Sequence, residues 1–189
     1  MESRVFCGLL AVVMGLYWSP TAHSGDLTEW AVPTSVEGAA GGCPIESPDA
    51  KTLFTAGGFD GTLDVWKYER ANKRSSFGPR EKVPGPVSLD DAGDFCPTPL
   101  PDDYLFFVSD RAGEDSCGGV DIFVTRLEDG NPIGVKRLPC APYGPNTAGR
   151  ELAPSLTIEK DGVFLYFSTN GPGGDQDIYR SKLNWDGSN

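Results

Sequence analysis

The 189-residue chain has one histidine, His23, and two methionines. His23 falls in an N-terminal stretch that reads as a cleavable leader, so the remainder carries no imidazole. That excludes a Ser-His-Asp or Cys-His nucleophilic centre and any histidine-ligated metal. Long apolar runs are also lacking. Beyond residues 5–17 nothing approaches the roughly 20 apolar residues that a membrane helix needs. No C-x-x-C pair and no H-E-x-x-H, G-x-S-x-G or EF-hand spacing occurs. The glycine-rich stretches do not open helices, which excludes a phosphate cradle at a helix N-terminus. Basic residues are outnumbered, 16 Lys and Arg against 27 Asp and Glu, giving a net charge of −11. Nucleic acid and anionic membrane both demand a basic surface, so neither is expected as a partner.

What is present is a block in the middle, residues 105–126, LFFVSDRAGEDSCGGVDIFVTR. Leu105, Phe106, Phe107 and Val108 form an apolar run closed by Ser109, Asp110 and Arg111. A polar, glycine-rich loop follows, then Asp121 and a second β-type run, Ile122, Phe123, Val124 and Thr125. Two strands and a connection are expected. The first run does not alternate, so both of its faces require burial. A lone hairpin buries one face at best, so this one needs a neighbour on each side.

The same pattern occurs twice more. Upstream stand Leu53, Phe54 and Thr55, a loop through Gly57, Gly58 and Gly61, then Asp64, Val65 and Trp66. Downstream stand Phe164 to Ser168, a loop through Gly171, Gly173 and Gly174, then Asp177, Ile178 and Tyr179. The anchoring aspartates Asp64, Asp121 and Asp177 are 57 and 56 residues apart, and Pro44, Pro97 and Pro154 precede the first runs at intervals of 53 and 57. A period of this size in a β-rich chain signals propeller blades. Residues 27–33 (LTEWAVP), 81–84 and 136–139 each read as a short edge strand ended by proline. Together these suggest three four-stranded units in the order D-A-B-C, at about residues 27–70, 77–128 and 133–185.

The expected fold is therefore all-β, with blades forming a partial or open propeller or half of a six-bladed ring. Strand D of the central unit begins near Ile133, twelve residues after Asp121, and the same step from Asp177 reaches Asn189. Three blades are fewer than the usual four to eight. The expectations are a fragment of a longer propeller, which is favoured, or two chains pairing to complete a ring.

Residues 1–24 fit a signal peptide. Arg4 supplies the positive charge, residues 5–17 the apolar core, and Ala22, His23 and Ser24 a small-x-small cleavage site. Cleavage would remove one residue of each sign and leave the net charge unchanged. The mature domain, 25–189, is expected to be periplasmic or secreted and not membrane-spanning. It keeps four cysteines, Cys43, Cys96, Cys117 and Cys140, an even number that suggests disulfides in an exported chain. Three connectivities are open; Cys43–Cys96 and Cys117–Cys140 are preferred, because Cys43 and Cys96 each precede a marker proline in adjacent units.

The run from Ser47 to Phe54 (SPDAKTLF) resembles the WD40-like Pro-Asp repeat, which forms the blades of TolB-type β-propellers. Residues 107–111 (FVSDR) with 118–123 (GGVDIF) resemble its second half, and residues 166–168 (YFS) with 173–179 (GGDQDIY) repeat it. The resemblance covers most of residues 40–183. It implies an exported propeller used as an interaction platform, with an envelope or extracellular protein or a glycan as partner. The sequence departs from the pattern where Gly57-Gly58 stand in place of Arg111, where Asn170 replaces the preceding Asp, and where Lys160-Asp161-Gly162 replaces Pro-Asp.

Candidate sites are few. Asp64, Asp121 and Asp177 suit a structural role, accepting backbone N–H groups in a repeated turn. Pro44, Pro97 and Pro154 are read as structural markers. Asp90, Asp91 and Asp94, Glu114 and Asp115, and Asp175 with Asp177 form acidic clusters able to hold Ca²⁺ or to serve a glycosidase, yet their spacing selects no acid–base pair. No catalytic residue, metal or cofactor is expected. The leading reading is a non-catalytic binding platform; the alternatives are a glycoside-hydrolase-like or carbohydrate-binding propeller and a structural fragment of a larger envelope protein.

Overall fold

The computed structural model describes residues 33–171 and 173–183. Every element below lies within Ser35–Asn189. The leader and residues 27–32 of the first expected edge strand lie outside the described residues.

Eleven strands form three antiparallel sheets among the described residues. The first holds β1 (Gly42–Glu46), β2 (Thr52–Gly57), β3 (Asp64–Glu69) and β4 (Glu81–Lys82). The second holds β5 (Asp94–Pro99), β6 (Tyr104–Ser109), β7 (Asp121–Glu128) and β8 (Asn131–Arg137). The third holds β9 (Glu151–Glu159), β10 (Gly162–Thr169) and β11 (Asp177–Leu183). Each sheet runs in sequence order, and each repeat supplies its inner three strands from the segments expected.

Burial on both faces explains the stacking. Leu105 and Phe107 of β6 meet Phe54 and Val65 of the first sheet, with Val83 and Val87 closing that layer. Phe106 and Val108, on the opposite face of β6, meet Leu165 and Phe167 of the third. All four β6 side chains are essentially inaccessible. Fully burying such a side chain is worth about 1.5–3 kcal/mol, so the central strand holds its neighbours on both sides. These are propeller blades packed face to face.

The sequence-based grouping needs one correction. Strand D does not open a unit; it closes the sheet before it. Lys82 pairs with Trp66 of β3, and Arg137 pairs with Phe123 of β7. The sheets therefore group as 42–82, 94–137 and 151–183 rather than 27–70, 77–128 and 133–185. The order is A-B-C-D in the first two, and among the described residues the last holds three strands. A two-residue strand such as β4 has no period of its own, and only its hydrogen-bond partner decides which sheet it joins.

The innermost strands β1, β5 and β9 lie side by side, with the Thr98 hydroxyl of β5 donating to the Pro154 carbonyl of β9 at 2.5 Å. Each carries a bulge where the marker proline sits, and the residue before the proline takes positive φ: Cys43 (47°), Cys96 (48°) and Ala153 (49°). Proline has no N–H for the ladder, so the chain steps out of register there.

Candidate functional site

The three anchoring aspartates begin β3, β7 and β11. Asp64 and Asp121 are buried, and each faces a cation from the following outer strand. Asp64 Oδ2 lies 2.9 Å from Lys82 Nζ. Asp121 Oδ2 lies 2.9 Å from Arg137 Nε and also accepts the Cys117 N–H at 3.1 Å. Arg137 Nε has no aligned hydrogen-bond acceptor, so the Asp121–Arg137 pair acts by proximity of charge more than by direction. Burial pulls the Lys82 ammonium down, but hydrogen bonds to Asp64 and Asp60 outweigh it and raise it. The pairs fasten strand D to strand C, which is a structural task. Asp177 is exposed, and among the described residues no cation faces it.

Arg111 meets Asp94 at 2.6 Å within the same sheet and donates to the Pro86 and Val87 carbonyls of the link between the first two sheets. Asp94 is fully buried. Burial pushes its carboxyl above the usual range, against the opposing pull of Ser109, Arg111 and the Leu89 amide. Asp110 accepts the Gly93 N–H.

Cys117 and Cys140 form a disulfide that ties the loop before β7 to the segment after β8. The expected Cys43–Cys96 bridge is not formed: both are free thiols, with their Sγ atoms 2.9 Å apart on the adjoining inner strands. Burial, reinforced by the contact with Cys43, pushes the Cys96 thiol up to about 12. The other acidic clusters do not converge. Asp90, Asp91, Glu114 and Asp175 are exposed, and Asp115 is engaged by Arg137 at 2.6 Å. Tyr143 is exposed and Trp66 is buried, its indole N–H donating to the Gly57 carbonyl.

A cleft of about 410 Å³ opens between the first two sheets, at the end where strands A and B turn. Three turns build it. In the first, the Ser47 hydroxyl and the Lys51 amide bond Asp49, whose carboxyl is held below its usual range by those bonds. The second runs through Pro101–Asp103, with Asp102 and Asp103 at φ of 60° and 61°. The third is the β7–β8 hairpin, whose Asp129 and Gly130 both take positive φ, as a two-residue turn requires. Phe54 and Leu127 line its inner end. Its polar lining holds Asp49, Glu69, Asp102, Asp103 and Asp129 against a single cation, Lys67. Lys67 is already engaged by Glu69 at 2.8 Å and Glu81 at 3.5 Å. The cleft therefore keeps a surplus of negative charge and favours a cationic occupant.

Sequence reasoning passed over several residues that organise this unit. Lys82 and Arg137, which face the buried Asp64 and Asp121, were not singled out. Glu151 is fully buried and accepts the Thr147 and Thr169 hydroxyls at 2.6 and 2.7 Å. It starts β9 as Asp94 starts β5, which was the signal available. Asn146, also buried, uses its side-chain amide to bond both backbone groups of Ile122.

No family model and no curated protein matches the chain. Among solved structures it is similar to TolB from Acinetobacter baumannii, with a TM-score of 0.48 and 21% identity, covering 76% of this chain and 30% of that one. The chain thus spans under a third of that protein's length.

Proposed function

We propose that the chain is a non-catalytic, exported binding module whose propeller-type sheets present a protein-binding cleft. The single observation that carries this reading is the acidic cleft between the first two sheets, five carboxylates against one cation already in use. Its occupant is a lysine- or arginine-bearing segment of an envelope or extracellular protein. Short turns on stacked sheets form a stiff frame, so little ordering cost falls on this partner surface.

Export is supported by the leader pattern in residues 1–24 and by the Cys117–Cys140 disulfide, which persists in an oxidising compartment. The glycosidase alternative gains no support from the carboxyl displaced upward, Asp94, which is sealed among Ser109, Arg111 and Leu89 and does not line the acidic cleft.

The test is fluorescence anisotropy with a labelled Lys/Arg-rich peptide. Asp102→Asn, Asp103→Asn and Asp129→Asn remove charge while keeping a residue tolerant of positive φ. At about 0.5 kcal/mol per exposed charge, the triple variant weakens binding about tenfold, and added salt weakens the parent likewise. Equal affinity of parent and triple variant would overturn the assignment. Mass analysis of the natural protein checks export, with cleavage after Ser24 expected and an intact N-terminus contradicting it.

A further inference from the structure

The start of each inner strand carries a different charge. Gly41, Asp94 and Glu151 stand two residues before the bulge residues Cys43, Cys96 and Ala153. The first sheet thus has no carboxylate at this place. The second buries Asp94 and answers it: Arg111 reaches Asp94 Oδ1 at 2.6 Å and donates to the Ser109 hydroxyl at 2.8 Å. The third buries Glu151 completely, and no cation answers it among the described residues.

Strand register explains the difference. Asp94 pairs across the ladder with Ser109, and Glu151 with Thr169. The N–H two residues on, from Arg111 or Gly171, donates back to the Ser109 or Thr169 hydroxyl at 3.2 and 3.0 Å. Gly171 therefore takes the place of Arg111. A Cβ on Gly171 would lie 2.6 Å from Thr147 Oγ1, so that threonine fills the room an arginine stem needs. What remains is a cluster of oxygens. Glu151 Oε1 accepts the Thr147 and Thr169 hydroxyls, which lie 3.1 Å apart. Each hydroxyl also accepts one glycine N–H, from Gly149 or Gly171, and keeps one lone pair free. Glu151 Oε2 is buried and has no hydrogen-bond partner among the described residues. The carboxylate lies between the second and third sheets, with its own N–H on the Val120 carbonyl, and half-buried Thr147 leaves a way in from solvent. A buried carboxylate without a counterion is strongly disfavoured.

We propose that the Glu151 carboxylate, with the Thr147 and Thr169 hydroxyls, binds a monovalent alkali cation, sodium or potassium, in the role that the Arg111 guanidinium plays for Asp94. Charge fixes the class. One carboxylate balances one positive charge, as in the second sheet. Calcium would leave a surplus positive charge buried, and it takes about 6–8 oxygen ligands. Carboxylate and hydroxyl donors do not suit soft metals. Thr147, Glu151 and Thr169 line no part of the acidic cleft, so the two sites stand or fall separately.

The test is urea unfolding of the intact chain in choline chloride, with sodium or potassium chloride replacing choline stepwise at constant ionic strength. Above the dissociation constant, the unfolding constant falls about tenfold for each tenfold rise in the free ion. Glu151→Gln keeps an acceptor for both hydroxyls and abolishes that dependence. Sodium-23 relaxation on the parent needs no variant; it is expected to show one saturable ion that potassium displaces. A parent midpoint equal in choline and alkali chlorides overturns the proposal. So does a dependence kept in full by Glu151→Gln, which assigns it to the surface charge. Stabilisation by calcium and by neither alkali ion overturns it as well.

Discussion

Asp121 and Asp177 hold the same place in two repeats, so deleting each carboxylate measures what the clasp contributes. Asp121→Ala removes the 2.9 Å contact with Arg137 and the acceptor for the Cys117 N–H. The Arg137 side chain is buried and loses its one buried counterion, keeping the exposed Asp115, the Arg111 carbonyl and the face of the Phe123 ring at 4.9 Å. Breaking a buried pair from one side costs about 3–5 kcal/mol. The remaining partners and the unaligned Nε place this case at the lower end, about 3 kcal/mol. For a unit of this size that lowers Tm by about 6–12 °C. Asp177→Ala removes an exposed side chain that has no ion-pair partner among the described residues and changes stability by less than about 0.5 kcal/mol. Urea unfolding followed by circular dichroism, with the slope m unchanged, reads both values. Equal losses for the two variants would refute the idea that the buried aspartates act through the outer-strand cations.

Three further outcomes are expected. At pH 8 iodoacetamide labels Cys43, while Cys96, with its thiol near 12, reacts at least about a hundredfold more slowly; in separate, unalkylated protein a small-molecule disulfide, itself reduced to two thiols, oxidises the pair to a Cys43–Cys96 bridge whose 54-residue loop adds about 4 kcal/mol in the chain-entropy account. Mass mapping that finds equal labelling, or no bridge, contradicts this. Gly118→Ala drives a Cβ into the Gly149 and Thr147 carbonyls and destabilises by about 2 kcal/mol or more, whereas Gly173→Ala, with open space around it, stays within about 1 kcal/mol; equal midpoints for the two would rule this out. The Asp94 carboxyl, raised by burial, titrates by carbon-13 NMR above 3.8. The folded state then holds that proton more tightly than the unfolded one. This group's contribution is full below the unfolded value and is lost as pH rises through the folded one; a midpoint below 3.8 reverses that sign.

The inner strands were legible because their signals are local. An apolar run without alternation, as in Leu105–Phe106–Phe107–Val108, demands cover on both faces, and Phe106 and Phe107 do point to different neighbouring sheets. The phase of strand D was not legible, since joining β3 or β5 is decided by long-range pairing and β4 has two residues. The cations that answer Asp64 and Asp121 were hidden for the same reason: Lys82 and Arg137 gain meaning only beside Trp66 and Phe123. The bulges at Cys43, Cys96 and Ala153 were half visible through the prolines that follow them. The cleft was not visible at all, because turns from two different sheets bring its carboxylates together.

Hydrogen–deuterium exchange resolved to single amides tests the stacked-sheet arrangement most directly. The arrangement predicts that the amides of β6 and β7, enclosed by sheets or strands on every side, exchange with the global unfolding reaction, while the outward-facing amides of β11 exchange orders of magnitude faster. Rapid exchange throughout β6, or protection of β11 equal to that of β7, would contradict it.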